Sequence, residues 1–191
     1  CDTNSGGYIG KVRNIGLEYA SGNFILFVDS DDKLANNALE KLYIGALISD
    51  ADVTICGFYE FKNDIVTAKT PKTEFIYKTN DYKHFCNMWY NEGISGYICG
   101  KLYKSSLLNT NHIRFKEDLR LAEDTLFFEE ALLSLSTCYV LQDCLYYYRI
   151  NDNGTWNSEK TSAYLFDCMK AHALSYDDYI NNHKEKPTLK Y

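Results

Sequence analysis

The stretch Phe24-Ile25-Leu26-Phe27-Val28-Asp29-Ser30-Asp31-Asp32 constrains this chain most. Five apolar residues in a row run into three carboxylates spread over four positions. A short continuous run rich in aromatic and β-branched residues predicts a strand buried on both faces, as in the parallel sheet of an α/β protein. Ligands of open α/β sheets bind beyond the carboxyl ends of the strands, which is where these acids fall. Like charges this close repel, and a divalent cation is the simplest counter-charge. One such residue suffices as an N-cap for the apolar-periodic segment that follows, whereas four Asp or Ser residues stand here in a row. A calcium loop fits poorly, because Lys33 and Leu34 occupy places that need an oxygen ligand and a glycine.

The segments around this strand extend the α/β reading. Val12, Ile15, Gly16, Tyr19 and Ala20 recur at helical spacing, with Gly22 as a natural stop. Ala38, Leu39, Leu42, Tyr43 and Ala46 mark a second helix, and Val53–Phe58 reads as another buried strand. Tyr59–Lys78 alternates in short pieces that suggest an antiparallel excursion, and Asp81–Tyr90 a helix. Tyr97–Lys104 predicts a strand, Leu121–Leu135 a strong helix, and Cys138–Leu141 and Leu145–Arg149 two short strands. Ser158–Ile180 reads as a long closing helix before a polar tail, which divides the chain into 1–155 and 156–191. The first predicted element is a helix rather than the strand that opens a doubly wound sheet. The expectation is a chain without its first βαβ portion, whose exposed sheet edge invites self-association.

Composition narrows the function. A net charge of −6, with no Lys/Arg stripe, argues against nucleic acid. No apolar run reaches the roughly 20 residues of a membrane span. Seven scattered cysteines without a CxxC pair point to reduced thiols and a cytoplasmic setting, and the four histidines lack zinc-ligand spacing. Beyond the acidic strand, Glu123-Asp124 opens a predicted helix, where the macrodipole favours acids and where a carboxylate can also serve as a general base. Glu129 and Glu130 read as solvated. Arg13 sits where it can reach phosphate oxygens. Tyr146-Tyr147-Tyr148-Arg149 offers flat faces that suit sugar rings, or simply a half-buried strand.

These motifs together resemble the family-2, GT-A-type bacterial glycosyltransferases of surface-polysaccharide synthesis. The resemblance rests on Gly7 through Asn14, Gly16-Leu17, Ala20-Ser21-Gly22-Asn23 and Phe27 through Asp32. It continues with Gly100 through Lys104, Phe115, Glu123 through Phe127, and Tyr146 through Arg149. Val12 stands where the family prefers alanine, and Asn153-Gly154-Thr155 where a Gly-Ser pair is common. The family opens with strands ending in Pro-x-Tyr-Asn and Asp-Asp-Gly-Ser, which nothing here matches.

The resemblance implies a GT-A-like, Rossmann-like sandwich with a mostly parallel central sheet. It implies a UDP-linked nucleotide-sugar donor, a saccharide or lipid-linked saccharide acceptor, and a Mn²⁺ or Mg²⁺ cofactor held by Asp31 and Asp29. Arg13, Asp29, Ser30 and Asp31 would bind the donor, and Asp124 would be the base of an inverting displacement. Glu123, Lys101 and Arg149 would belong to the acceptor side or its loops. The enzyme would be cytoplasmic, or peripheral at the inner face of the membrane. Two alternatives stay open: a non-catalytic sugar- or partner-binding module, and an Asp-x-Asp phosphatase, whose pattern Lys33 breaks.

Overall fold

A computed structural model describes residues 8–78, 92, 94, 96–151, 169, 170, 173 and 174. The predicted helix over 81–90 and the boundary at 155 lie outside these residues, as do the polar tail and most of the closing helix. The elements are α1 (Ile9–Tyr19), β1 (Phe24–Leu26), β2 (Lys33–Leu34), α2 (Ala38–Ser49), β3 (Val53–Lys62), β4 (Ile65–Lys69) and β5 (Phe75–Lys78). They continue with β6 (Lys101–Lys104), α3 (Ser105–Thr110), α4 (Glu123–Ser134) and β7 (Thr137–Arg149).

The strands form one sheet in the order β1-β6-β3-β7-β2, with β4 added to β3 and β5 to β7. Strand β6 runs antiparallel to both β1 and β3, while β3 and β7 are parallel, so β1, β3 and β7 share one direction. The expected α/β architecture is what the chain adopts, with a mixed sheet. Side chains alternate across β3: Val53 and Ile55 enter one core with Tyr103, Phe115, Phe127 and Phe128. Cys56 enters the other, with Leu42, Ala46, Leu102 and Tyr139. Helix α2 thus covers one face, and α4 with α1 covers the opposite one. Among the described residues, no helix is long and apolar enough to cross a membrane.

Three local expectations are corrected. Strand β1 is half-buried rather than fully buried. It ends the strand order, and no described strand pairs with its outer edge. The two strands expected at 138–141 and 145–149 are one continuous β7, because Gln142-Asp143 is a register shift opposite Gly57 rather than a turn. Asp143 is instead held outward by Lys41 at 2.6 Å. Finally, α1 does not bury its apolar stripe: Val12 and Tyr19 are exposed, and Gly10, Asn14 and Leu17 face inward.

The reason lies in residues 115–117. The Asn14 side-chain amide donates to the Phe115 carbonyl at 2.9 Å, and its carbonyl accepts the Phe115 N–H at 2.9 Å. A Cβ on Gly10 would stand 3.0 Å from the Phe115 Cβ, so a glycine lets the helix come this close. Asn14 therefore acts as a piece of backbone pairing, docking α1 against the loop that leads to α4. Gly45 plays the same part in α2, where a Cβ would lie 2.7 Å from the Tyr139 ring.

Candidate active site

The carboxyl end of β1, the start of α4 and the carboxyl end of β7 converge on a cavity of about 660 Å³. Its walls include Arg13, Asp29, Ser30 and Asp31 on one side and Glu123, Asp124 and Thr125 from the α4 start. Tyr97, Tyr148 and Arg149 also line it. The expected donor-side acids and the expected base therefore share one cavity.

Helix α4 begins abruptly. Ala122 adopts a left-handed conformation, φ 63°, that ends the incoming loop and places two acids in the first helical turn. There the N-terminal partial charge favours them. The Thr125 N–H donates to Asp124 Oδ1 at 2.8 Å. The Ile98 N–H also hydrogen-bonds the Asp124 carboxylate, yet burial outweighs these contacts and raises its proton affinity above that of an ordinary aspartate. Glu123 is 7% exposed, and burial, reinforced by the neighbouring Asp124 charge, pushes its pKa up as well.

Arg13 joins the two sides. Its guanidinium donates to Glu123 Oε1 at 2.9 Å and to Asp29 Oδ1 at 3.0 Å, and it lies over the Phe115 ring at 5.3 Å. Burial works against its charge, but Asp29, then Glu123 and Asp124, more than offset it, and the pKa is raised. The residue expected to support a nucleotide is thus already committed to two carboxylates. It fixes the acidic turn relative to α4.

The acids of the turn differ in their freedom. Asp29 pairs with Arg13. Asp32 accepts the Tyr146 hydroxyl at 2.6 Å and the Arg149 N–H at 2.8 Å. Asp31 lines the cavity, and no described residue makes a hydrogen bond or ion pair to its carboxylate. Among the described residues no group of three or more His, Cys, Asp or Glu is placed to enclose a metal ion. Asp31 with Asp29 offers the one or two hard oxygen ligands that Mg²⁺ or Mn²⁺ takes when phosphate oxygens and water complete its shell.

Two other residues sit differently from a cavity wall contact. Lys101 is 1% exposed at the start of β6 and does not line the cavity. Its ammonium donates to the Tyr97 carbonyl and lies 4.4 Å from the Phe128 ring centroid, so it supports the Tyr97–Cys99 turn from beneath. Burial lowers its pKa. Glu130, expected to be solvated, pairs with Lys116 at 2.7 Å. Sequence reasoning missed Tyr97, whose ring stacks on Tyr148 at 6.3 Å, and the pairing of Asp32 with Tyr146. The Tyr-Tyr-Tyr-Arg run was the available signal: strand alternation puts Tyr146 and Tyr148 on one face and sends Tyr147 to the other, where it stacks on Tyr59.

The family model for glycosyl transferase family 2 matches residues 2–109. The chain belongs to this family. That membership sets aside the phosphatase alternative. Among curated relatives, the poly(ribitol-phosphate) beta-N-acetylglucosaminyltransferase TarS of Staphylococcus aureus is 34% identical over 166 residues, covering 86% of this chain and 26% of TarS. The uncharacterized glycosyltransferase EpsJ of Bacillus subtilis is 31% identical over 153 residues, covering 77% of this chain and 43% of EpsJ. The chain thus spans less than half the length of these relatives. Among solved structures, S. aureus TarS 1–349 in complex with UDP-GlcNAc superposes with a TM-score of 0.79 at 28% identity, covering 97% of this chain and 50% of that one.

Proposed function

We propose that this family-2 chain carries the donor-diphosphate and base-bearing portion of an inverting glycosyltransferase. It would move a sugar from a UDP-linked donor to a hydroxyl of a cell-surface polysaccharide or a lipid-linked saccharide. The single observation that carries the proposal is the shared cavity, with Asp29-Ser30-Asp31 and Glu123-Asp124 on its walls. The likeness to TarS with bound UDP-GlcNAc supports the donor class, and the poly(ribitol-phosphate) transferases among the relatives support the acceptor class. Free cysteines Cys56, Cys99, Cys138 and Cys144 accord with a cytoplasmic setting.

The two acids of α4 divide the work. Glu123 is held by Arg13 and has no lone role as a base. Asp124 keeps one oxygen on the Thr125 N–H and faces the cavity, where it would take the proton of the acceptor hydroxyl. The hydroxyl oxygen then attacks the anomeric carbon from the side opposite the nucleotide. The carbon–oxygen bond to the diphosphate breaks with its electron pair leaving on the phosphate, so the configuration inverts. Asp31, with Asp29 beside it, would hold Mn²⁺ or Mg²⁺, whose charge offsets that of the departing diphosphate. Nearby, Arg149 lines the cavity and its Nε donates to the Asp31 carbonyl at 3.1 Å.

Calorimetric titration of UDP in Mn²⁺-containing buffer tests the donor side. The full-length wild-type protein should bind UDP, and Asp31→Ala should weaken it by about tenfold or more, the scale of one lost charge-assisted contact. An Asp31→Ala protein that binds UDP as tightly as wild type would refute the placement of the donor at this turn.

A further inference from the structure

The turn that carries Asp31 is not self-supporting. Among the described residues its one internal hydrogen bond is the Asp32 N–H to the Asp29 carbonyl at 3.1 Å, and β2 beyond it is two residues long. Four hydrogen bonds tie it instead to the end of β7. The Tyr146 hydroxyl donates to Asp32 Oδ2 at 2.6 Å and accepts the Asp29 N–H at 3.2 Å. The Arg149 N–H donates to Asp32 Oδ1 at 2.8 Å, and Arg149 Nε donates to the Asp31 carbonyl at 3.1 Å. The end of β7 is itself paired along Tyr146–Arg149 with β3, and at Tyr146 and Tyr147 with β2, so it anchors the turn to the sheet.

Both Asp32 oxygens are thus consumed within the protein, and Asp32 is not among the residues lining the cavity. Tyr146 is 1% exposed and reaches the turn only through its hydroxyl. From this geometry we propose that Tyr146 and Asp32 are a positioning pair. They hold the Asp29–Asp31 turn in the one shape that presents the Asp31 carboxylate to the donor. The inference rests on the donor-site reading above and goes beyond it, since neither residue lines the cavity. Without the strap the turn samples other shapes, and apparent affinity falls by the fraction of time the competent shape is lost.

The test compares full-length wild type with Tyr146→Phe, Asp32→Ala, Asp32→Asn and Asp31→Ala, by UDP calorimetry in Mn²⁺ buffer and by thermal melting. All titrations run well below every melting midpoint. Tyr146→Phe keeps the buried ring and should melt close to wild type, yet bind UDP about tenfold more weakly, or about 1.4 kcal/mol. Asp32→Ala should lose at least as much. Asp32→Asn should fall between wild type and Asp32→Ala, because its amide oxygen still accepts the Arg149 N–H while its NH2, in the place of Oδ2, cannot accept the Tyr146 hydroxyl proton.

Wild-type UDP affinity in both Tyr146→Phe and Asp32→Ala, alongside a weakened Asp31→Ala, would overturn the positioning pair and leave the donor site standing. Undiminished binding by Asp31→Ala would overturn the donor reading, and the pair with it. Wild-type UDP affinity in Tyr146→Phe beside a weakened Asp32→Ala would also overturn the pair, since charge near the donor would then matter rather than the hydrogen-bonded strap.

Discussion

Replacing Asp124 with asparagine should cut transfer by about 10²–10⁴-fold while leaving UDP binding unchanged. The substitution is nearly isosteric, and an asparagine carbonyl still accepts the Thr125 N–H that Asp124 Oδ1 accepts at 2.8 Å, although the amide has one accepting oxygen for the two N–H groups, of Thr125 and Ile98, that the carboxylate takes. The start of α4 therefore survives, and what disappears is the group able to receive a proton. Losing a positioned general base costs about 10²–10⁴-fold in rate, and the effect should fall on kcat rather than on donor affinity. The pH profile carries a second signature. Burial raises the Asp124 pKa, so the acid limb of wild-type kcat/KM should lie above the ordinary carboxylate range. Activity is present above that pKa and is lost as pH falls through it. The residual activity of Asp124→Asn should lack this limb.

Stability should move the other way. A carboxyl whose folded pKa is raised binds its proton more tightly in the folded state than in the unfolded one. Its contribution is therefore favourable at low pH and is lost as pH rises through the folded value. At neutral pH Asp124 is a buried charge that the fold tolerates for its chemistry, so its removal offsets a weakened backbone hydrogen bond and Asp124→Asn should melt close to the wild-type temperature.

Arg13→Ala should be the most damaging change to the site's architecture. It leaves Glu123, 7% exposed, and Asp29 without the cation that bridges them at 2.9 and 3.0 Å. Breaking a buried pair by removing one partner costs about 3–5 kcal/mol, because the remaining charge is left uncompensated. Transfer should fall by about 10²-fold as the acidic turn and α4 lose their fixed relation. Arg13→Lys should not rescue it, since a single ammonium lacks the fork that engages two carboxylates at once. In Arg13→Ala the stability deficit should shrink as pH falls through the raised Glu123 pKa, because protonation then removes the orphaned charge. Thermal melts across the acidic range, with kcat/KM at neutral pH, check both effects.

The parts of the site that are local in sequence were legible. An apolar run ending in acids, and two acids opening a helix, announce a strand mouth and a helix start without knowledge of the rest of the chain. The parts that were not legible depend on partners far along the chain. Arg13 meets Glu123 across 110 residues and Tyr146 meets Asp32 across 114, and no periodicity encodes such meetings. That is why Arg13 read as a phosphate contact rather than a bridge, and why Asp32 read as one more member of an acidic run.

The fold shows the same division. Helical spacing located α1 and α2 well but misjudged which face of α1 is buried, because Asn14 docks by hydrogen bonds that a hydrophobic pattern does not register. Polar residues inside β7 looked like a turn because a register shift and a chain break have the same local signature. The apolar run of β1 shows affinity for a sheet, not whether neighbours lie on both sides.

The most direct test of the central claim is a crystal structure of the full-length protein with UDP-GlcNAc and Mn²⁺. The diphosphate should lie against Asp31 at the Asp29–Asp32 turn, with the anomeric carbon facing the cavity wall formed by Asp124. A donor bound with its diphosphate away from Asp31, or with its anomeric carbon out of reach of Asp124, would contradict the account.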